Sequence, residues 1–365
     1  MRKILVLILL LVSGITYSQS DKYDGYLEEL FLARQPSARA EAMGRGHVAD
    51  NQNDFGSFYN PALSGLSEGL NINTSFSGRY YNSRQSFFNY FGATYKLNKI
   101  GSIGLSRYHF DFNEEYSVST IYKPYIYTLN FSREMVKDFY AGVNINLVED
   151  NNPRFPVREF NNKGLVPTFD FGVLKNFEIH AVQNKFESHK FKLGLSVNNF
   201  TNSKYVYSDL DFTYNVYLPV IFRIGGSYDF IQKGDRLKKN GEEFSFLGYF
   251  EFEKILNIAK YYTYKAGCEF CIYDILFFRM GYVSRNAGFT NSILSYYLSK
   301  FTQFTYGAGV KIPLDLIFKM KTPLLIKVDY VNLRQPGRDN GGLNTEVPYP
   351  NFNTIGINLN WVPVF

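Results

Sequence analysis

From Thr354 to Phe365 the chain alternates without a break. Ile355, Ile357, Leu359, Trp361 and Phe365 share one parity, while Thr354, Gly356, Asn358 and Asn360 share the other. Period two puts successive side chains on opposite faces of an extended strand, one face apolar and one polar. The same alternation recurs upstream. Phe139, Ala141, Val143, Ile145 and Leu147 oppose Tyr140, Gly142, Asn144 and Asn146. Val220, Phe222, Ile224 and Tyr228 oppose Arg223, Gly225, Ser227 and Asp229, and Leu324, Ile326, Val328 and Tyr330 oppose Leu325, Lys327 and Asp329. A chain patterned this way folds as sheet, and what remains to decide is which face meets water.

About fourteen strands can be marked on these patterns and turn signals, near 68–81, 85–97, 100–112, 121–133, 136–149, 165–178, 186–200, 218–231, 242–256, 262–272, 275–285, 303–314, 323–333 and 352–365. Short turns near Asn98-Lys99, Glu134-Met135 and Tyr273-Asp274 alternate with long connections near 113–120, 150–164, 201–217, 286–302 and 334–351; the charged turn Lys233 to Lys239 breaks that rule. Aromatic residues make up 18% of the chain, yet mean hydropathy is −0.21. A membrane barrel has this signature, because lipid-facing residues interleave with polar lumen-facing ones. The expected fold is all-β: a transmembrane antiparallel β-barrel of about fourteen strands. A soluble sandwich fits any single strand but not the two-sided asymmetry of the connections. The closing strand resembles the C-terminal signal of bacterial outer-membrane barrels, which makes Trp361 and Phe365 the assembly signal.

The amino terminus fits export. Arg2 and Lys3 precede the apolar run Ile4 to Val12, with small residues near Thr16 and Ser18, the form of a secretion signal over 1–18. That run is too short to cross a bilayer as a helix. Residues 19–66 lack the strand pattern and are long enough to plug a lumen; 67–365 form the barrel. The expected location is the outer membrane of a Gram-negative bacterium, with outer-membrane lipid around the barrel. An even strand number leaves both termini periplasmic. The net charge of +6 is spread along the chain, so no nucleic-acid partner is expected.

The plug segment carries the most specific motif. Pro36-Ser37-Ala38-Arg39-Ala40-Glu41-Ala42-Met43-Gly44-Arg45-Gly46 runs on to Asp50, and Tyr59-Asn60-Pro61-Ala62-Leu63 follows. This resembles the amino-terminal signature of the FadL-like superfamily, which holds the long-chain fatty-acid channels and the PorV/PorQ barrels of the Bacteroidetes type IX secretion system. Lys192 to Phe200 and Phe278 to Tyr282 look like the PorV/PorQ branch. Asp50-Asn51-Gln52-Asn53-Asp54 and the bulky Phe58-Tyr59 depart from the pattern. The physical roles of the motif stand apart from any family. Gly44 and Gly46 allow close backbone approach. Pro61 fixes its own φ and extends Asn60, which can then cap neighbouring groups. Arg39 inside a lumen seeks a wall carboxylate, with Asp170, Asp229 and Asp329 as candidates.

The resemblance implies two functions. One is a secretion component that engages a translocon or exported cargo proteins through outer loops carrying Arg334, Arg338 and Tyr349. The other is a passive channel for a hydrophobic small molecule. The PorV/PorQ-like segments put the first ahead. No enzyme is expected. Gly65-Leu66-Ser67-Glu68-Gly69 matches a nucleophile pattern in letters, but the required strand-then-helix context is missing. Cys268 and Cys271 fall on opposite faces of one strand, which does not suit a shared metal and allows a disulfide only if the following turn begins early. His47, His109, His180 and His189 lack ligand spacing, and Glu28-Glu29 and Glu242-Glu243 read as solvated. No catalytic, cofactor or metal site is assigned.

Overall fold

The computed structural model describes residues 35–50, 55–80, 83–113, 121–122, 124–149, 165–179, 186–208, 213–236, 241–257, 262–286, 301–318, 323–334, 338–339, 346–347 and 351–362. The secretion signal of 1–18 and Phe365 lie outside them.

Fourteen long antiparallel strands pair in chain order and close on themselves. They are β1 (Leu70–Tyr80), β2 (Ser83–Leu97), β3 (Gly101–Asn113), β4 (Tyr125–Val136), β5 (Phe139–Glu149), β6 (Leu165–Glu178) and β7 (Glu187–Asn198). The second half is β8 (Ile221–Gly234), β9 (Gly241–Ile255), β10 (Tyr262–Ile272), β11 (Leu276–Asn286), β12 (Phe301–Pro313), β13 (Leu324–Leu333) and β14 (Phe352–Trp361). Closure pairs β1 with β14, from Leu70 opposite Trp361 to Gly78 opposite Asn353. The seam is stitched on its inner face, where Asn360 donates to Asn71 Oδ1 at 2.7 Å and Ser77 and Thr354 share a hydroxyl contact of 2.7 Å. Closure leaves no exposed sheet edge, which a bilayer would penalise heavily.

Polarity is inverted relative to a soluble protein. Phe304 is 77% exposed and Leu105 63%, with Phe76, Phe250, Ile355 and Ile357 also outward. Asn71, Asn73, Asn130, Asn144, Lys265 and Glu269 are buried on the inner face. An apolar exterior around a polar interior is what lipid requires of a barrel. Each parity set read from the sequence takes the face expected of it within its strand; Val220 alone lies just ahead of β8 and is buried. Trp361 points outward. We expect Trp361→Asp to lower the amount of inserted protein, since a lipid-facing charge costs up to about 2–4 kcal/mol at the midplane and less near the interface. Wild-type levels in isolated membranes would contradict this placement.

The ends of the barrel differ. One end carries the tight turns at 98–100, 137–138 and 273–275; the other carries 114–124, 150–164, 199–220 and 334–351. Both β1 and β14 have their terminus-facing ends on the tight-turn side. The turn expected at Glu134-Met135 falls instead at Lys137-Asp138. A bulge carries β4 to Val136, and Asp138 adopts φ 60 as the turn residue. Tyr273 and Asp274 both have positive φ, 57 and 56, and Ile275 N donates to Ile272 O at 3.1 Å to close the turn. Within the long connection after β7, Lys204–Ser208 pairs with Thr213–Tyr217 as a small hairpin. Its Tyr205 hydroxyl donates to the carbonyl of Val148, so the hairpin leans over the lumen from the long-loop side.

Candidate functional site

The described plug residues lie inside the lumen, packed against the inner wall. Helix α1 (Ala38–Ala42) starts at Ser37, whose hydroxyl accepts from Ala40 N. Helix α2 (Gly56–Tyr59) leads into a 3-10 turn over Pro61–Leu66. Asn60 is extended, with φ −147 and ψ 113, and its side chain caps the turn by accepting from Ala62 N at 3.0 Å. The same amide donates to Val48 O at 2.8 Å and to Val173 O of the wall at 3.1 Å. Asn60 thus ties two stretches of plug to strand β6, and Pro61 at the start of the turn gives up no needed N–H.

The wall receives this segment on glycine. A methyl on Gly142 would overlap the Pro61 carbonyl; on Gly172, the Asn60 side chain; on Gly194, the Val48 carbonyl. Gly267 and Gly281 are filled in the same way by Met43 and Gly44. These five wall positions lie on β5, β6, β7, β10 and β11, so plug backbone rests directly on barrel backbone over much of the circumference. Gly44 answers from the plug side. Its φ is +75, and a Cβ there would stand 2.5 Å from Tyr282 O and 2.6 Å from Ala266 O. Gly46 lies against the Tyr249 ring, whose hydroxyl accepts from Gly46 N at 2.7 Å.

Charge fixes the rest. Arg39, fully buried, binds Glu269 of β10 in a fork, Nε to Oε2 at 2.8 Å and Nη2 to Oε1 at 3.0 Å, and pairs Nη1 with Asp50 of the plug. The three wall carboxylates expected for Arg39 are otherwise engaged. Asp170 accepts from Asn144, Asn146 and Asn199, Asp229 pairs with Lys192, and Asp329 pairs with Arg279 at 2.8 Å. Glu269 lies at the height of Arg39 in the lumen and meets its guanidinium with both oxygens, and Arg279 supports it from β11. Burial disfavours a charged Asp50, but Arg39 foremost, with His47 at 3.3 Å, outweighs it and holds the carboxyl well below the usual range. Glu251 accepts from both His47 N and Val48 N at 2.8 Å, and Lys265 bridges Glu251 and Glu253 at 2.9 and 2.7 Å.

One sector of the lumen is aromatic rather than polar. Phe88 stacks on Phe110 at 4.2 Å, and Phe88 and Tyr90 both approach Tyr108, at 6.1 and 6.2 Å. Phe58 of the plug meets Tyr108 edge-on at 5.5 Å, Phe55 meets Tyr90 at 5.0 Å, and Phe58 abuts Tyr59 at 5.2 Å. The run descends from the long-loop half of β2 and β3 to the plug. A separate apolar cluster of Val48, Ala49, Ala62, Leu63 and Leu174, flanked by Leu66 and Tyr140, lies nearer the tight-turn end. Assigning aromatic residues to the lipid face hides this sector in the sequence; the parity of Phe88, Tyr90, Tyr108 and Phe110 against outward Phe91 and Leu105 is the signal that reveals it.

The remaining candidates are placed as follows. Ser67 ends a 3-10 turn and precedes β1, the reverse of a nucleophile elbow. Cys268 is outward and Cys271 inward, both free thiols. Glu242, Cys271 and Asp274 bring ligand atoms within 4.8 Å of one another, but Lys311 at 2.5 Å already pairs with Asp274. Arg334 is exposed at the end of β13. Arg338 lies in a two-residue pairing with Glu346–Val347, and Tyr349 is outside the described residues.

Together these features define a membrane-spanning β-barrel with an internal plug. No protein-family model and no curated protein matches the sequence. Solved structures similar to the chain include a Pseudomonas aeruginosa FadL homologue, at 11% identity and TM-score 0.45, covering 91% of this chain and 99% of its own. The Pseudomonas putida toluene transporter TodX is similar at 9% identity and TM-score 0.42, over 91% of this chain and 98% of its own. The Ralstonia pickettii toluene transporter TbuX is similar at 10% identity and TM-score 0.43, over 90% and 98%. Identity this low says nothing of what the present chain carries.

Proposed function

We propose that the protein is a passive outer-membrane conduit for hydrophobic small molecules, with both termini on the periplasmic side. The observation that carries this reading is the aromatic run from Phe88 and Phe110 through Tyr108 to Phe58, with a second apolar cluster around Leu63 and Leu174. Inside a polar lumen such a strip is the apolar lining a solute would follow once the plug shifts, because with the plug seated its Phe88, Tyr108 and Phe110 are buried. The amide and charge lattice on the other walls holds the plug and offers an apolar solute nothing. Docking of a translocon or cargo, which the PorV/PorQ-like segments Lys192 to Phe200 and Phe278 to Tyr282 place first, depends on outer loops that fall largely outside the described residues. The aromatic strip therefore reverses the order of the two readings.

The test is uptake of a labelled aromatic hydrocarbon by a strain lacking the protein and complemented with variants. Tyr108→Ala and Phe58→Ala together should cut uptake several-fold at equal barrel levels. Wild-type uptake by that double variant, with export of secreted proteins lost in the null strain, would favour the secretion component instead.

A further inference from the structure

Beside the aromatic strip, strands β4 to β8 and Phe58 line a small cleft of about 30 Å³, room for a group the size of a hydroxyl, that is partly open to solvent. The pocket is lined by Thr128, Asn144, Asn146, Asp170, Asn198 and Arg223, with Phe58, Ile126 and Ile221 as its apolar wall. Phe58 belongs to both features, since it also meets Tyr108. A molecule whose ring packs on Phe58 can place a substituent in the pocket.

The hydrogen-bond inventory says what that substituent must be. Both N–H groups of the Asn144 amide are used, on Ser57 O and Asp170, each at 2.9 Å. Both of Asn146 are used too, on Thr168 at 3.1 Å and Asp170 at 2.9 Å. The Thr128 hydroxyl donates to Asn146 Oδ1 at 2.7 Å. Arg223 turns Nε to Glu253 at 2.8 Å and Nη1 to Asn198 Oδ1 at 2.5 Å. What this lining keeps in supply is acceptor capacity on Asp170 and the asparagine oxygens, which hold more lone pairs than the bonds seen here consume, together with the N–H groups of Arg223 Nη2 and the Asn198 amide, so the group that suits it both donates and accepts. Charge points the same way. Arg223 and Lys265 are balanced by Glu251 and Glu253. Asp170 takes three N–H donors and pairs with no cation among the described residues.

We infer that this pocket selects hydrophobic molecules carrying a neutral hydrogen-bond donor, a hydroxyl above all, and turns away carboxylates. This rests on the conduit reading and names its substrate class. A hydroxyl donates to Asp170 or an asparagine oxygen and still accepts a bond, whereas an anionic head meets the Asp170 carboxylate, whose charge no cation among the described residues offsets. An unsubstituted hydrocarbon binds the strip and leaves the pocket wet.

Three probes with one skeleton test it: toluene, p-cresol and p-toluate, titrated calorimetrically against the full-length protein in lipid nanodiscs, with empty nanodiscs subtracted. For the wild type we expect p-cresol to bind at least about tenfold more tightly than p-toluate and several-fold more tightly than toluene, given the reach of one charge at these distances. Asp170→Asn should narrow the gap between p-cresol and p-toluate. Because that variant also disturbs the bond to Asn199, the wild-type order stands as the primary readout. If p-toluate binds as well as p-cresol, Arg223 rather than the acceptors governs the pocket and the inference falls. Equal binding of toluene and p-cresol also overturns it while leaving the conduit intact. Failure of all three probes to bind would remove the conduit reading itself.

Discussion

Leucine in place of Gly281 or Gly194 should unseat the plug while leaving the barrel closed. Each glycine faces plug backbone, Gly281 against Met43 and Gly44 and Gly194 against Val48 and Ala49, with no room for even a methyl group. Backbone cannot move aside as a flexible side chain can, so the plug must lift off the wall. Strand pairing does not depend on these side chains, and Gly281 stays between Gly267 and Thr305 in the ladder. The expected signature is twofold. The variants keep heat-modifiable migration and a β-rich far-ultraviolet spectrum, but planar-bilayer conductance rises and the plug becomes sensitive to protease. Wild-type conductance in both variants would mean that the glycine seat does not hold the plug.

The second large effect is expected at Arg39. Arg39→Ala strands Glu269 and Asp50 in the lumen with one guanidinium fewer, and breaking a buried pair from one side costs about 3–5 kcal/mol. Arg39→Lys should recover only part of the loss, because an ammonium cannot match the forked contact with Glu269. The readout is the denaturation midpoint of the folded form in detergent. Removing the exposed Arg236, which reaches Glu243 at 3.7 Å, serves as the control and should leave the midpoint unchanged. Protonating Asp50 acts in the same direction. Its folded carboxyl is held below the ordinary value of about 3.9, so this contribution is present above that value and is lost as pH falls through the lowered one. A midpoint indifferent to Arg39→Ala would show that the lattice adds nothing beyond the glycine seat.

Much of the architecture was legible because a barrel writes its geometry in period two. All fourteen strands fall where alternation places them, and the faces of Ile355 and Ile357 against Thr354 and Asn358 could be read directly. The β4–β5 turn was displaced by three residues because a bulge and an Asp at φ 60 are set by pairing, not by a turn dipeptide. The partner of Arg39 was not legible: Asp170, Asp229, Asp329 and Glu269 all point inward, and only their heights in the lumen separate them. The aromatic sector was hidden for the opposite reason. Aromatic residues on β2 and β3 occupy both faces, so composition assigned them to lipid although Tyr90 and Tyr108 are buried within. The polar pocket joins residues of five strands and the plug, a proximity that only closure creates.

The most direct measurement compares two solutes in one pair of strains. Cells with and without the wild-type protein are given a labelled aromatic hydrocarbon and, in parallel, a hydrophilic solute of similar mass. A seated plug beside an aromatic strip predicts uptake of the hydrocarbon that depends on the protein, and hydrophilic uptake that does not. Protein-dependent entry of the hydrophilic solute, or hydrocarbon uptake unchanged by deletion, would contradict the account.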